Sequence, residues 1–186
     1  MKPIQAFPPE LLLRAQGIRG LLLDVDGVLT DGGLYVGETG ESFKRFHTLD
    51  GYGLRLTRLQ GFALMVVSGK DSPALRQRLK ALKIEHLHLG ADPKLPQAEA
   101  ALKACGLAWS EVAVAGDDWP DAPLMAKAGL SFAPPGAHPE IRHLAHHVTR
   151  AEAGAGAVRE ICDVLLMARG AYVDAWDQAL NSQVGH

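Results

Sequence analysis

The 186-residue sequence predicts an α/β fold, a doubly wound parallel sheet of Rossmann-like topology with a small β-hairpin inserted after the first strand. Three observations carry this. Short continuous apolar runs, not alternating ones, mark strands buried on both faces. Helix-length amphipathic stretches separate the runs, so consecutive strands need crossovers and run parallel, with right-handed connections. One segment, residues 33–46, breaks the alternation and reads as a hairpin.

In chain order, residues 18–25 (IRGLLLDV) form the first strand candidate and end in acids. The hairpin follows, with β-prone pieces at 34–36 and 42–46 around a turn at 38–41. Residues 52–59 read as a helix. The run 62–67 (FALMVV) is the second strand and ends in Ser68-Gly69-Lys70. A helix over 73–82 starts with Pro73 after Asp71-Ser72, a sound helix start. A further helix spans 95–105. The run 112–115 (VAVA) is the third strand and ends in Gly116-Asp117-Asp118; a helix over 122–128 leads to a weaker fourth strand at 130–133. The last helix runs from 155 to about 168, with Gly170 placed to stop it. Residues 1–17 read as an N-terminal extension, 18–170 as the domain, and 171–186 as a tail available as a lid.

Composition excludes several classes. Nineteen basic and 21 acidic residues give a net charge of −2, which points neither to nucleic acid nor to an anionic membrane surface. Hydrophobic residues are 47% and charged residues 22%, enough for a full core and too apolar for a disordered chain. Cys105 and Cys162 form no CxxC and suggest no disulfide framework, and no apolar run approaches the ~20 residues that span a bilayer. A cytoplasmic protein with a small-molecule substrate is the expectation.

The chemistry sits at the strand ends. In an open parallel sheet, ligands bind beyond the carboxyl ends of the strands, so Asp24, Asp26, Ser68, Asp117 and Asp118 should meet in one crevice. A carboxylate at a strand end can attack phosphorus. A second one two residues on can trade protons with the leaving oxygen, and Gly27 permits the turn between them. Several acids at one pole repel one another and require a cation. Asp24 and Asp117, with Asp118 or Asp121, offer only hard oxygen ligands, the set that suits Mg²⁺. Ser68 offers a hydroxyl and Gly69 bare backbone to a phosphate, and Lys94 a point charge. Three other patterns read as structure: His86 and His88 as one face of a strand, His143 and His147 as a solvated helix end, and Trp109 and Trp119 as packing.

The order of these motifs, DVDGVLTDG, VVSGK, Lys94 and GDDWPD, resembles the four motifs of the haloacid dehalogenase superfamily. The hairpin, F-x-x-x-DG at 46–51, AP-x-x-A-HP at 133–139 and GAGAVREICDVLL at 154–166 resemble its small tetrameric branch, the 3-deoxy-D-manno-octulosonate 8-phosphate phosphatases of lipopolysaccharide precursor synthesis. The resemblance implies Asp24 as nucleophile, Asp26 as general acid/base, and Ser68 and Lys94 as phosphoryl ligands. It implies Mg²⁺ on the Asp24 carboxylate, the Asp26 carbonyl and Asp117. It also implies substrate contacts from Asp26, His47, Thr48, Leu49, Asp50, Gly51, Arg55, Lys70, Arg78 and Lys94, and a homotetramer. Lys70 stands where the branch often has Arg, and His47-Thr48-Leu49 where it often has Asn-Val-Arg/Lys; a nine-carbon sugar-acid 9-phosphate is therefore the alternative substrate. A receiver-type phospho-Asp switch is the alternative from another class. Ser68 at the end of the second strand, where a receiver carries its phosphorylated Asp, argues against it.

Overall fold

The computed structural model describes residues 3–38 and 40–181, without the side chains of Glu41 and Ser42. Thr39 of the hairpin turn and the last five residues of the tail lie outside the described residues.

The chain begins with helix α1 (Pro9–Ala15), then β1 (Gly20–Leu23) and the hairpin strands β2 (Tyr35–Gly37) and β3 (Gly40–Phe43). There follow α2 (Thr48–Leu59), β4 (Ala63–Ser68), α3 (Pro73–Ala81), β5 (His86–Leu89), α4 (Lys94–Cys105) and β6 (Val112–Ala115). The remainder is α5 (Ala122–Lys127), β7 (Leu130–Ala133), α6 (Pro139–Leu144), β8 (His147–Val148), α7 (Ala157–Ala168) and α8 (Tyr172–Asn181). Six strands form one sheet in the order β5-β4-β1-β6-β7-β8, and every pairing in it is parallel. β1 lies between β4 and β6, so the chain leaves it in opposite directions along the sheet. That is a topological switch point, where a crevice opens at the strand ends.

The sheet is covered on both sides. Leu21 and Leu23 of β1 point into a core with α1, α2, α3 and α7, whereas Leu22 points into a second core with α4, α5 and α6. All three leucines are fully buried, worth about 1.5–3 kcal/mol each. This two-sided burial is why β1 reads as an unbroken apolar run rather than an alternating one.

Four elements go beyond the sequence reading or correct it. Phe7, Leu11 and Ala15 join the same core as β1, so the N-terminal extension packs into the domain. The first strand, Gly20–Leu23, is shorter than 18–25: the Asp24 N–H still donates to the Ala115 carbonyl, but the chain then turns, the Val25 carbonyl accepting from the N–H groups of Val28, Leu29 and Thr30. α6 ends at Leu144 and His147 lies in β8, so His143 and His147 share no helix face. His147 Nε2 instead lies 3.2 Å from Glu160 Oε1. Trp109 packs against the second core, but Trp119 is 64% exposed and its indole N–H donates to His138 Nδ1 at 3.0 Å. His86 and His88 do lie on an edge strand, β5.

The hairpin pairs Tyr35 with Phe43 and stacks their rings at 4.7 Å. Asp31 braces its base: the carboxylate accepts from the Gly33 N–H at 3.0 Å and the Tyr35 hydroxyl at 3.2 Å, and pairs with Arg45 at 3.2 Å. Leu34, Val36 and Phe43 remain exposed.

Candidate active site

A crevice of about 400 Å³ opens at the C-terminal end of the sheet. β1 and the turn after it bring Asp24, Asp26 and Gly32. β4 brings Ser68, Gly69 and Lys70, the start of α4 brings Lys94, and the segment after β6 brings Asp117, Asp118, Pro120 and Asp121. The acids and the Ser/Lys pair, spread over about a hundred positions of sequence, thus converge as the parallel-sheet rule requires.

The centre is a charge cluster. Lys94 Nζ lies 2.8 Å from Asp24 Oδ1 and 2.8 Å from Asp121 Oδ1. Asp24, Lys94 and Asp121 are all buried. Burial opposes the Lys94 charge, but Asp121 and Asp24 outweigh it and lift the pKa above the usual lysine range. Asp121 Oδ2 also accepts from the Asp117 N–H at 3.1 Å, which fixes the loop. Asp118 accepts from the Trp119 N–H at 2.8 Å and caps the following turn, so of the two neighbouring acids it is Asp121 that joins the cluster. Gly27 (φ 82°) sits against Asp117: a Cβ there would collide with its carboxylate. Ser68 ends β4 almost fully buried, its Oγ accepting from the Lys70 N–H at 3.2 Å.

One ammonium does not neutralise three acids. Carboxylate oxygens of Asp24, Asp117 and Asp121 all lie within 4.8 Å of one another. Burial, then Asp121, pushes the Asp24 pKa up to about 6 against the pull of Lys94. Burial, then Asp24 and Asp121, pushes Asp117 up to about 7. A cation among these carboxylates would relieve the repulsion that raises both values. The donors are all oxygen, with no imidazole or thiolate, so the group fits a hard divalent ion.

The other predicted contacts do not reach this crevice within one chain. His47 caps α2, its Nδ1 accepting from the Leu49 N–H at 3.3 Å. Thr48, Leu49 and Arg55 are exposed on α2. Asp50 is 2% exposed and turned away: its Oδ1 accepts the Arg159 N–H at 2.8 Å, its Oδ2 is buried with no hydrogen-bond partner among the described residues, and burial raises its pKa. Gly156, the N-cap residue of α7, has no side chain, so Asp50 serves the helix N-terminus in its place. Gly51 lies against the Arg78 guanidinium, which donates to the His47 carbonyl at 3.3 Å and covers the Phe46 ring. α8 packs with Leu49 and Tyr52 around an apolar hollow, and no described residue of the tail lines the crevice. Sequence reasoning missed Lys44. Its Nζ enters from the hairpin to lie 2.6 Å from Asp26 Oδ1.

A parallel sheet whose switch point gathers a DxD pair, a strand-end Ser, a buried Lys and a second acidic pair defines a hydrolase core of the haloacid dehalogenase superfamily. No family model matches the chain. It is 40% identical to the 3-deoxy-D-manno-octulosonate 8-phosphate phosphatase KdsC of Escherichia coli strain K12 over 171 residues, 92% of this chain and 91% of that one. It superposes on the crystal structure of the phosphatase of the same name from Yersinia pestis with a TM-score of 0.86 at 40% identity, covering 88% of this chain and 89% of that one. The Moraxella catarrhalis enzyme, solved in complex with magnesium ion, phosphate ion and a KDO molecule, gives a TM-score of 0.87 at 32% identity, covering 92% of this chain and 98% of that one. The chain belongs to the 3-deoxy-D-manno-octulosonate 8-phosphate phosphatase family. That membership leaves the receiver-type switch without support.

Proposed function

We propose that the chain is a Mg²⁺-dependent phosphatase that hydrolyses 3-deoxy-D-manno-octulosonate 8-phosphate to the free sugar acid and phosphate, supplying lipopolysaccharide precursor synthesis in the cytoplasm. The carrying observation is the buried Asp24–Lys94–Asp121 group with Asp117 beside it, at the switch point of the sheet. Among the described residues, no helix is long and apolar enough to cross a membrane.

The chain's residues divide the work. Asp24 attacks phosphorus in line, and its bond to Lys94 fixes the attacking oxygen. Ser68 and Lys94 bind the phosphoryl oxygens, with backbone N–H groups after β4 adding donors. Asp26 gives a proton to the leaving alkoxide as the ester bond breaks. It then takes a proton from the water that attacks phosphorus and frees Asp24. The Asp24 carboxylate, the Asp26 carbonyl and Asp117 would hold Mg²⁺, which when bound would supply positive charge to offset the phosphoryl oxygens as a carboxylate approaches them. Lys70 lines the same crevice, which supports a substrate contact there.

The test of the function is kcat/KM for 3-deoxy-D-manno-octulosonate 8-phosphate against a nine-carbon sugar-acid 9-phosphate. The eight-carbon substrate should be preferred; a clear preference for the other would reassign the substrate.

Metal dependence has a distinctive pH signature. Asp24 and Asp117 have folded-state pKa values of about 6 and about 7, above the ordinary 3.8. Between those limits the metal-free folded chain holds more protons than the unfolded chain, so the contribution of these two groups to stability falls as pH rises. A cation binds the deprotonated acids and reverses that loss. The rise in Tm on adding Mg²⁺ should therefore be largest near pH 8 and shrink as pH falls toward about 5.5. Melts with Mg²⁺ and with EDTA check this; an equal rise at both pH values would contradict it. EDTA should also silence turnover, and Mg²⁺ should restore it where Zn²⁺ does so poorly.

The working unit is proposed to be a homotetramer. The hairpin exposes Leu34, Val36 and Phe43, more apolar surface than an isolated hairpin carries in water. Pairing between copies would cover it and let exposed Thr48, Leu49 and Arg55 serve a neighbour's crevice. Light scattering should give about 80 kDa, four chains of 19.9 kDa. A fully active monomer would refute the shared arrangement.

A further inference from the structure

We propose that Lys44 is a positioning residue for Asp26: it holds one carboxylate oxygen so that the other is the one that carries the proton. This rests on the reading of Asp26 as the acid/base. Lys44 belongs to the hairpin segment, yet its side chain is only 1% exposed, while Leu34, Val36 and Phe43 of the same hairpin stand in water. Burying an ammonium is costly and is tolerated only with a close partner. Asp26 Oδ1, at 2.6 Å, is such a partner.

A mere staple for the hairpin would not need this arrangement. Asp31 already braces the base through Gly33, Tyr35 and Arg45 at the surface. What the buried pair adds is asymmetry in the Asp26 carboxyl group. Oδ1 takes the Lys44 contact, and the Thr30 hydroxyl lies 3.5 Å from the same oxygen. Among the described residues no hydrogen bond reaches Oδ2, and Asp26 lines the crevice. An oxygen that accepts from an ammonium is not the one that bears the acid's proton. In the first half-reaction the proton therefore leaves Oδ2 for the leaving alkoxide as the P–O bond breaks. In the second it returns to Oδ2 from the water that attacks phospho-Asp24. The same contact limits rotation of the carboxyl group. Misplacement by about 1 Å costs on the order of 10²-fold in such a step.

The experiment is a double-substitution cycle on the full chain with Mg²⁺ and 3-deoxy-D-manno-octulosonate 8-phosphate, using Lys44→Met, Asp26→Asn and both together. Lys44→Met should lower kcat by roughly 10–10²-fold, with KM little changed. In the Asp26→Asn background it should cause no further loss, since it acts through Asp26. Lys44→Gln, which keeps a neutral donor, should recover part of kcat and serves as the reporter if Lys44→Met melts early. An unchanged kcat, a change confined to KM, or an equal loss in the Asp26→Asn background would overturn the proposal. Wild-type protein that fails to release phosphate from this substrate would instead overturn the functional reading beneath it.

Discussion

Replacing Asp24 with Asn is expected to abolish turnover while leaving the fold intact. An amide oxygen is not a usable nucleophile toward phosphorus, and loss of a covalent nucleophile costs roughly 10⁴–10⁶-fold in kcat. The fold should survive for a reason specific to this site. Asp24 is 6% exposed, and its pKa is raised by burial and by Asp121. The substitution removes a buried negative charge that Asp117 and Asp121 already oppose. It weakens the contact to Lys94, but Asp121 stays at 2.8 Å from Nζ. Metal-free Asp24→Asn protein should therefore melt no lower than metal-free wild type, and its response to Mg²⁺ should fall. Retained activity on the natural substrate would remove Asp24 from its role; a collapse of the fold would show that Lys94 depends on Asp24 more than on Asp121.

Lys94→Met should be the more damaging change to the folded state. The lysine is 8% exposed and holds two acids at 2.8 Å each. Methionine fills much of the stem's volume but leaves Asp24, Asp117 and Asp121 facing one another without a cationic neighbour. Breaking a buried ion pair from one side costs about 3–5 kcal/mol. Three consequences are expected in urea melts and assays: a lower midpoint without metal, a larger share of that loss regained with Mg²⁺ than in wild type, and near-complete loss of turnover even when the metal restores stability. Lowering the pH toward 5 should also restore part of the stability, because the raised pKa values of Asp24 and Asp117 let protons replace the missing charge. Equal stability with and without Lys94 at neutral pH would mean that the acids are not held together by it.

The central chemistry was legible because it follows from sheet topology. A run such as GLLL suits a strand of a parallel sheet covered on both faces, and acids directly after such runs gather at the carboxyl ends of the strands. Asp24, Asp26, Ser68, Asp117 and Asp118 could therefore be brought together from their order, and all five line the crevice; Lys94, at a helix start, joins them there. Asp121 was half legible, since the GDDWPD string supplies several acids and only the turn capped by Asp118 decides which joins the cluster. Other features depend on packing that no local pattern encodes. Asp50-Gly51 resembles a substrate motif, and within one chain Asp50 Oδ1 is bonded to the N-terminus of α7, more than a hundred residues away in sequence. The bare GAGA entry to α7, with glycine at the N-cap position, was the available sign that an acceptor had to come from elsewhere. β8 is two residues long and has no periodicity to detect; His147 is fixed there by Glu160 from α7. Glu160 is buried, but the bonds from His147, Ala151 and Arg150 hold its carboxyl below the usual range. Nothing in the sequence sets Lys44 apart, and the three-dimensional approach of the hairpin to Asp26 is what buries its side chain.

The most direct measurement is a rapid acid quench during the first turnover of 3-deoxy-D-manno-octulosonate 8-phosphate with Mg²⁺, followed by peptide mapping for a covalent phosphoryl group. Wild type and Asp26→Asn are compared, because loss of the base slows hydrolysis of the intermediate by about 10²–10⁴-fold and raises its population. The expected result is one phosphoryl group on Asp24, transient in wild type and accumulating in Asp26→Asn. A phosphoryl group on another residue, or turnover in both proteins with none on Asp24, would contradict covalent catalysis at this carboxylate.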